Sequence, residues 1–204
     1  GYMVAQPSEH NTMIVLKDGM MGGIPELAEV RAQADFRNSG LLVSRLNDYS
    51  GVDWDRVIIW PKSRYFLVVD DLQAKEPGSY TFQCIWRTLG KADLQGRRWV
   101  SENPPGRFNL IACSDAGLTQ KPSAGTDLNA PPFPIDQARR LVQSASLRMH
   151  PGESYQFANL FYGTPDSGPT QRVDAYRIGK TPRYLVEDDG KLALAGIPKG
   201  DVIP

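Results

Sequence analysis

The sequence predicts an all-β fold, a large antiparallel β-sandwich of about 12 strands in two sheets. Three observations carry this. Short runs of apolar, β-branched and aromatic residues recur along the chain, the best of them alternating with a period of two. The 204 residues include 16 prolines and 19 glycines, which break those runs with turns. Asp18-Gly19 and Asp189-Gly190 are tight-hairpin signals. The densest pattern is Trp54–Trp86, read as a meander of three consecutive strands at the middle of the sandwich. In its last strand Tyr80, Phe82, Cys84 and Trp86 share one face, with Thr81, Gln83 and Arg87 on the other.

In order, Val4–His10 is short and polar. Thr12–Leu16 is a strand that turns at Asp18-Gly19, and Met20–Ile24 reads as irregular. Glu26–Phe36 fits helical spacing and alternation alike, and the sandwich context favours a strand. Gly40–Asn47 is a strand, and Asp48–Asp53 is a loop or turn. Arg56–Trp60, Tyr65–Leu72 and Tyr80–Trp86 form the meander. Arg87–Glu102 gives two short strands joined through Gly90 and Gly96. Asn103–Gly106 is a turn, and Arg107–Cys113 a strand. Ser114–Pro134, rich in proline and glycine, reads as one long loop. Asp136–Leu147 opens as a helical turn or a strand, with a strand in its second half. His150–Glu153 is a turn, Ser154–Tyr162 an alternating strand, and Gly163–Pro169 a loop. Val173–Ile178, Arg183–Glu187 and Leu192–Ala195 close the chain as three short strands.

Residues 1–204 read as a single domain with a real core. Lys plus Arg is 23 and Asp plus Glu is 23, so the net charge is zero. No global field draws the chain to nucleic acid or to an anionic membrane. There is neither an apolar run of membrane-helix length nor a signal peptide. The chain opens in mid-pattern, as a piece of a longer protein would. Cys84 and Cys113 are too few for a disulfide scaffold; they read as two buried thiols, with a single disulfide as the alternative.

Only two histidines are present, His10 and His150. A Ser-His-Asp triad would have to be built around one of them. The sequence has no G-x-S-x-G elbow, no H-E-x-x-H or Cys-x-x-Cys pattern, no G-x-G-x-x-G and no P-loop. His10, before a strand, is either a hydrogen-bonded edge histidine or a metal ligand, and zinc needs three or four ligands. His150 belongs to a turn. Asp70-Asp71 reads as a strand stop with solvated charges, the alternatives being an acid–base pair or a calcium site. Trp99, beside Arg97 and Arg98, is the candidate sugar platform: a flat ring stacks on a pyranose and two guanidiniums suit an acidic sugar. Tyr49 and Trp54, flanking a loop, come second. A core or edge position is the competing reading for each. Trp60, Trp86, Phe82 and Phe157 are assigned to the core.

Several stretches together resemble one family. Glu9-His10-Asn11-Thr12 with Asp18-Gly19 is similar to the HNT-x-x-x-DG stretch of heparinase II/III-like polysaccharide lyases. Trp54-x-Arg56 followed by Tyr65–Asp70 is similar to that family's arginine strand and its YFVVVD strand. Leu147, Pro151-Gly152-Glu153, Phe157 and Leu160 resemble its later L-x-P-G-E strand. The resemblance spans roughly residues 8 to 165 and implies the family's C-terminal β-sandwich. An N-terminal α/α toroid of the same parent chain would then carry the tyrosine and histidine acid/base residues. It implies a non-catalytic role for this chain in β-elimination on a polysaccharide, with part of the glycan cleft. It also implies export to a secreted, periplasmic or cell-surface location. Zinc-bearing members hold the metal in the sandwich, and His10 is the position matched to a ligand. No cofactor is expected in this piece alone; zinc or calcium would belong to the parent. The alternative is a carbohydrate-binding module for a polysaccharide, with an acidic one favoured by the arginines. A stand-alone hydrolase is disfavoured by the missing nucleophile motif.

Overall fold

The structure is a computed structural model and describes residues 7, 10–113, 118–124, 138–166, 173–178 and 183–196. Sixteen strands lie among them: β1 Met13–Lys17, β2 Met20–Met21, β3 Glu29–Asp35, β4 Ser39–Tyr49, β5 Val52–Pro61, β6 Phe66–Ala74, β7 Gly78–Leu89 and β8 Lys91–Gln95 in the first half. The second half holds β9 Arg98–Asn103, β10 Gly106–Ala112, β11 Thr119–Ala124, β12 Ala138–Met149, β13 Ser154–Pro165, β14 Val173–Arg177, β15 Arg183–Asp188 and β16 Lys191–Gly196. They form three antiparallel sheets: five strands in the order β11-β12-β7-β1-β2, eight in the order β3-β4-β5-β6-β13-β10-β9-β8, and three, β14-β15-β16.

The all-β sandwich is as the sequence predicts, but with more strands and a third sheet. The Trp54–Trp86 stretch is not one meander. β5 and β6 are neighbours in the eight-stranded sheet, whereas β7 crosses to the five-stranded sheet and pairs with β1 and β12. The Lys75–Pro77 segment makes that crossing. Alternation reports which side chains share a face, not which sheet a strand joins.

The apolar face of β7 stays as predicted: Tyr80, Phe82, Cys84 and Trp86 are all buried between the two larger sheets. Tyr80, Phe82, Tyr155 and Phe157 form a row of aromatic contacts across that core, with centroids 5.7, 5.9 and 5.1 Å apart. Trp60 is only half-buried, packed over the backbone at Gly40. β13 is buried on both faces. Phe157 and Phe161 point into the first core; Ala158 and Leu160 point the other way. There Val57, Leu67 and Val69 meet Val173, Ala175, Tyr184 and Val186 of the third sheet. A strand covered on both sides needs a continuous apolar run, which explains Leu67-Val68-Val69 in β6.

The turns follow their residues. Asp18 (φ 50°) and Gly19 (φ 82°) join β1 to β2 with Lys17 opposite Met20, as a type I′ hairpin requires. Asp189 and Gly190 repeat this between β15 and β16. Glu29–Asp35 is a strand, resolving the helix–strand ambiguity by pairing with β4. The Ser114–Pro134 segment is not wholly loop: Thr119–Ala124 forms edge strand β11, where Pro122 is tolerated because an edge leaves amides unpaired. Gly163–Pro165, expected to open a loop, instead end β13. Apart from Leu118, the rest of Ser114–Pro134, the predicted helical turn at Asp136, residues 167–169 of the predicted Gly163–Pro169 loop and the Val4–Glu9 stretch apart from Pro7 lie outside the described residues.

Candidate functional site

Three of the resembling stretches meet inside the sandwich. Counting back from the β5–β6 turn sets Arg56 directly opposite Asp70. Both face the first core. Asp70 is fully buried and does not end its strand, which runs on to Ala74. Its Oδ1 accepts from Trp54 Nε1 at 2.7 Å and from Arg56 Nε at 2.7 Å, and its Oδ2 accepts from Arg56 Nη2 at 3.1 Å. The solvated strand stop expected at Asp70 is thus replaced by a buried carboxylate, because the residue facing it supplies the charge. The Arg56 guanidinium lies between the rings of Trp54 and Trp86, 5.0 and 5.3 Å from their centroids. Its Nη1 donates to the Asn11 carbonyl at 3.1 Å. Asn11 Oδ1 in turn accepts from the Arg87 amide at 2.6 Å, which ties the entry to β1 onto β7.

The polar contacts continue inward. Cys84 Sγ donates to Asp70 Oδ2 at 3.8 Å, Asn159 Nδ2 donates to Cys84 Sγ at 3.9 Å, and Gln143 Nε2 donates to Asn159 Oδ1 at 2.7 Å. A chain of polar groups therefore crosses the core from Asn11 to β12. Burial works against the charge on Arg56, but the charge and hydrogen bonds of Asp70 outweigh it and raise the pKa of the guanidinium. Burial, then the neighbouring Asp70 charge, pushes the Cys84 thiol well above its ordinary value. Cys113 is pushed up to about 12 by burial. Both cysteines are free and buried, not joined. The arrangement fixes the position of the His10–Thr12 segment.

The sequence-predicted sugar residues are placed otherwise. Trp99 is 3 % exposed and packs in the first core, because the alternation of β9 points it inward with Ser101. Its ring is no platform. Arg97 is turned to the third sheet: Nη1 donates to the carbonyls of Ala112 and Ala175 at 3.0 and 3.1 Å, and Nη2 to Asp174 Oδ1 at 3.2 Å. Arg98 Nη2 donates to the Val173 carbonyl at 3.5 Å, over the ring of Tyr162. Tyr49 is buried, its hydroxyl donating to the Met13 carbonyl at 3.4 Å. Trp54 is half-buried with its N–H committed to Asp70. His10 is exposed beside Asn11, its amide bonded to the Pro7 carbonyl at 3.1 Å. Among the described residues no three His, Cys, Asp or Glu side chains come together as a metal site, so those residues do not supply the ligand set that the family's zinc needs. Register counting across the β5–β6 hairpin, beside the resembling Trp54-x-Arg56 and Tyr65–Asp70 stretches, was the signal for Arg56 and Asp70; Asn11 acts through both its carbonyl and its side-chain Oδ1, and its signal was the HNT stretch.

The fold has solved counterparts. A structure titled heparan sulfate lyase HepC from Pedobacter heparinus aligns over 94 % of this chain with a TM-score of 0.71 and 14 % identity. The fold is that of a domain of the heparinase III structures. A heparinase III gene product aligns over 92 % of this chain (TM-score 0.69, 16 % identity), and a further heparinase III structure over 91 % (0.71, 11 %). The chain spans only about 30 % of the length of these heparinase structures. No protein-family sequence model matches the chain, and no curated protein is similar to it in sequence. At these identities the heparinase likeness is one of fold.

Proposed function

We propose that this chain is the C-terminal β-sandwich of a longer polysaccharide lyase of the heparinase II/III kind, and that it supplies structure and one wall of the glycan cleft without catalysing the reaction. The observation that carries the reading is the convergence on Asp70. The stretches that resemble the family, at Asn11, Trp54-x-Arg56 and Asp70, are far apart in sequence and joined in one network. The fold likeness and the 30 % span support it. The parent would remove the proton α to a uronic carboxylate and expel the 4-linked oxygen, leaving an unsaturated sugar. The base and the acid belong to the toroid. The role of this chain is to hold the His10–Asn11 segment at the sandwich edge.

Exposed Met20, Ile24, Leu27, Val30 and Phe36 line the margin where β2 and β3 end their sheets. An apolar margin of this kind marks a contact with another domain, and the toroid is the partner assigned to it. Export is part of the same reading. Among the described residues no helix is long and apolar enough to cross a membrane. The test is the parent gene. Its product should carry a helical domain before Gly1 and release unsaturated uronates from an acidic polysaccharide. A parent without either overturns the reading.

A further inference from the structure

Acidic residues are unevenly divided between the layers. The strands of the five-stranded sheet contain Lys17, Arg87, Lys121, Arg139, Arg140 and Arg148, and no Asp or Glu. The strands of the eight-stranded sheet mix both signs instead, with Asp53, Asp55, Asp71 and Glu102 beside Arg45, Arg98 and Arg107. Since the whole chain is neutral, the asymmetry comes from the fold.

Alternation decides which cations face out. Leu141, Gln143 and Ala145 of β12 are buried toward the core, so Arg140, Ser144, Ser146 and Arg148 belong to the outer face. Register adds Lys121 beside Val142, Ser123 beside Arg140, and Arg87 opposite Arg140. Between β11, β12 and β7 lies a hollow of about 440 Å³ lined by Lys121, Arg140, Thr119, Ser123, Ser144 and Gln83. Cations, hydroxyls and an amide there share the lining with Ile85 and Val142. Arg140 and Arg148 stand eight residues apart on β12, about 27 Å along the strand, so the positive face is long as well as concave.

We propose that this outer face binds an acidic polysaccharide, whose carboxylates or sulfates pair with Lys121, Arg140 and Arg148 while its hydroxyls bond to Thr119, Ser123, Ser144 and Gln83. The inference rests on the glycan-directed reading above and places the contact away from Trp99. Charge complementarity selects an anion. The strand residues assigned to this face include no aromatic ring on which a nucleobase would stack.

The test is equilibrium binding of the 204-residue chain to heparin, with uncharged dextran, duplex DNA and phosphatidylserine vesicles as comparisons. Two variants with unchanged thermal unfolding are compared, Lys121→Ser/Arg140→Ser on this face and Lys91→Ser/Arg107→Ser on the eight-stranded sheet. Heparin should bind and dextran should not. The first variant should weaken heparin binding by about tenfold or more, the loss expected for two charge-assisted contacts. The second should leave it unchanged. Equal affinity in the first variant, an equal loss in the second, or DNA or vesicles bound as well as heparin overturns the inference. If the parent cleaves polysaccharide and the first variant binds heparin normally, this inference alone falls. If the parent does not cleave and the binding difference holds, the lyase reading falls and this face stands.

Discussion

Arg56 Nε and Asp70 Oδ1 are 2.7 Å apart across the β5–β6 ladder, with the carboxylate fully buried. The pair links the two strands to each other and, through Asn11, to the start of β1. Burying two charges is costly, and breaking such a pair costs more than replacing it whole. Asp70→Ala strands the guanidinium and should destabilise the fold by about 3–5 kcal/mol in urea unfolding. Arg56→Met with Asp70→Leu should lose clearly less. A double variant as unstable as Asp70→Ala would show that the charges themselves are required.

The two thiols give a pH signature. Burial raises Cys113 to about 12 from an ordinary 9.0, and Cys84 rises for the same reason. Above pH 9 the unfolded chain releases these protons while the folded chain keeps them. Stability is therefore full below pH 9 and falls as pH rises toward 12. For Cys113 the fall is about 4 kcal/mol. Cys113→Ala should flatten the loss measured by urea titration at successive pH values. A profile unchanged by that substitution would remove the thiol from the account. Neither thiol should react with an alkylating agent at pH 8 until the chain unfolds.

How much of this was legible in the sequence depended on what each pattern encodes. The inward face of β7 was readable from Tyr80, Phe82, Cys84 and Trp86, because alternation maps directly onto burial. The sheet that β7 joins was not, since the crossing at Lys75–Pro77 leaves the alternation untouched. Asp70 read as a strand stop because acids usually sit in water; its partner is local only once the hairpin register is counted. Trp99 misled because Gly96-Arg97-Arg98 looks like an exposed turn, yet alternation in β9 sends the ring inward and β14 takes both arginines. The three strands of the third sheet were legible from their short runs and the Asp189-Gly190 turn, but their packing on the eight-stranded sheet left one trace, the unbroken apolar run of β6.

Gly40 is a packing requirement. A Cβ there would stand 2.2 Å from the Trp60 ring. Gly40→Ala should lower the unfolding midpoint, with a cost of about 1–3 kcal/mol from overpacking. Trp60→Leu should restore much of it in the double variant. Additive losses in that pair would contradict the contact.

The third sheet is held by packing and by two exposed arginine clusters. Arg64 Nε donates to Asp188 Oδ2 at 2.6 Å, and Arg97 bridges β10 and β14. Arg64→Ala with Arg97→Ala should speed amide hydrogen exchange in β14–β16 and leave β6 and β13 protected. Uniform acceleration across all three sheets would show that the third sheet does not open on its own.

The most direct test of the central claim is ultraviolet absorbance of unsaturated uronate when the 204-residue chain alone is incubated with acidic polysaccharides, beside its full-length parent. Product is expected from the parent and none from the isolated sandwich. Sustained turnover by the sandwich alone would contradict it.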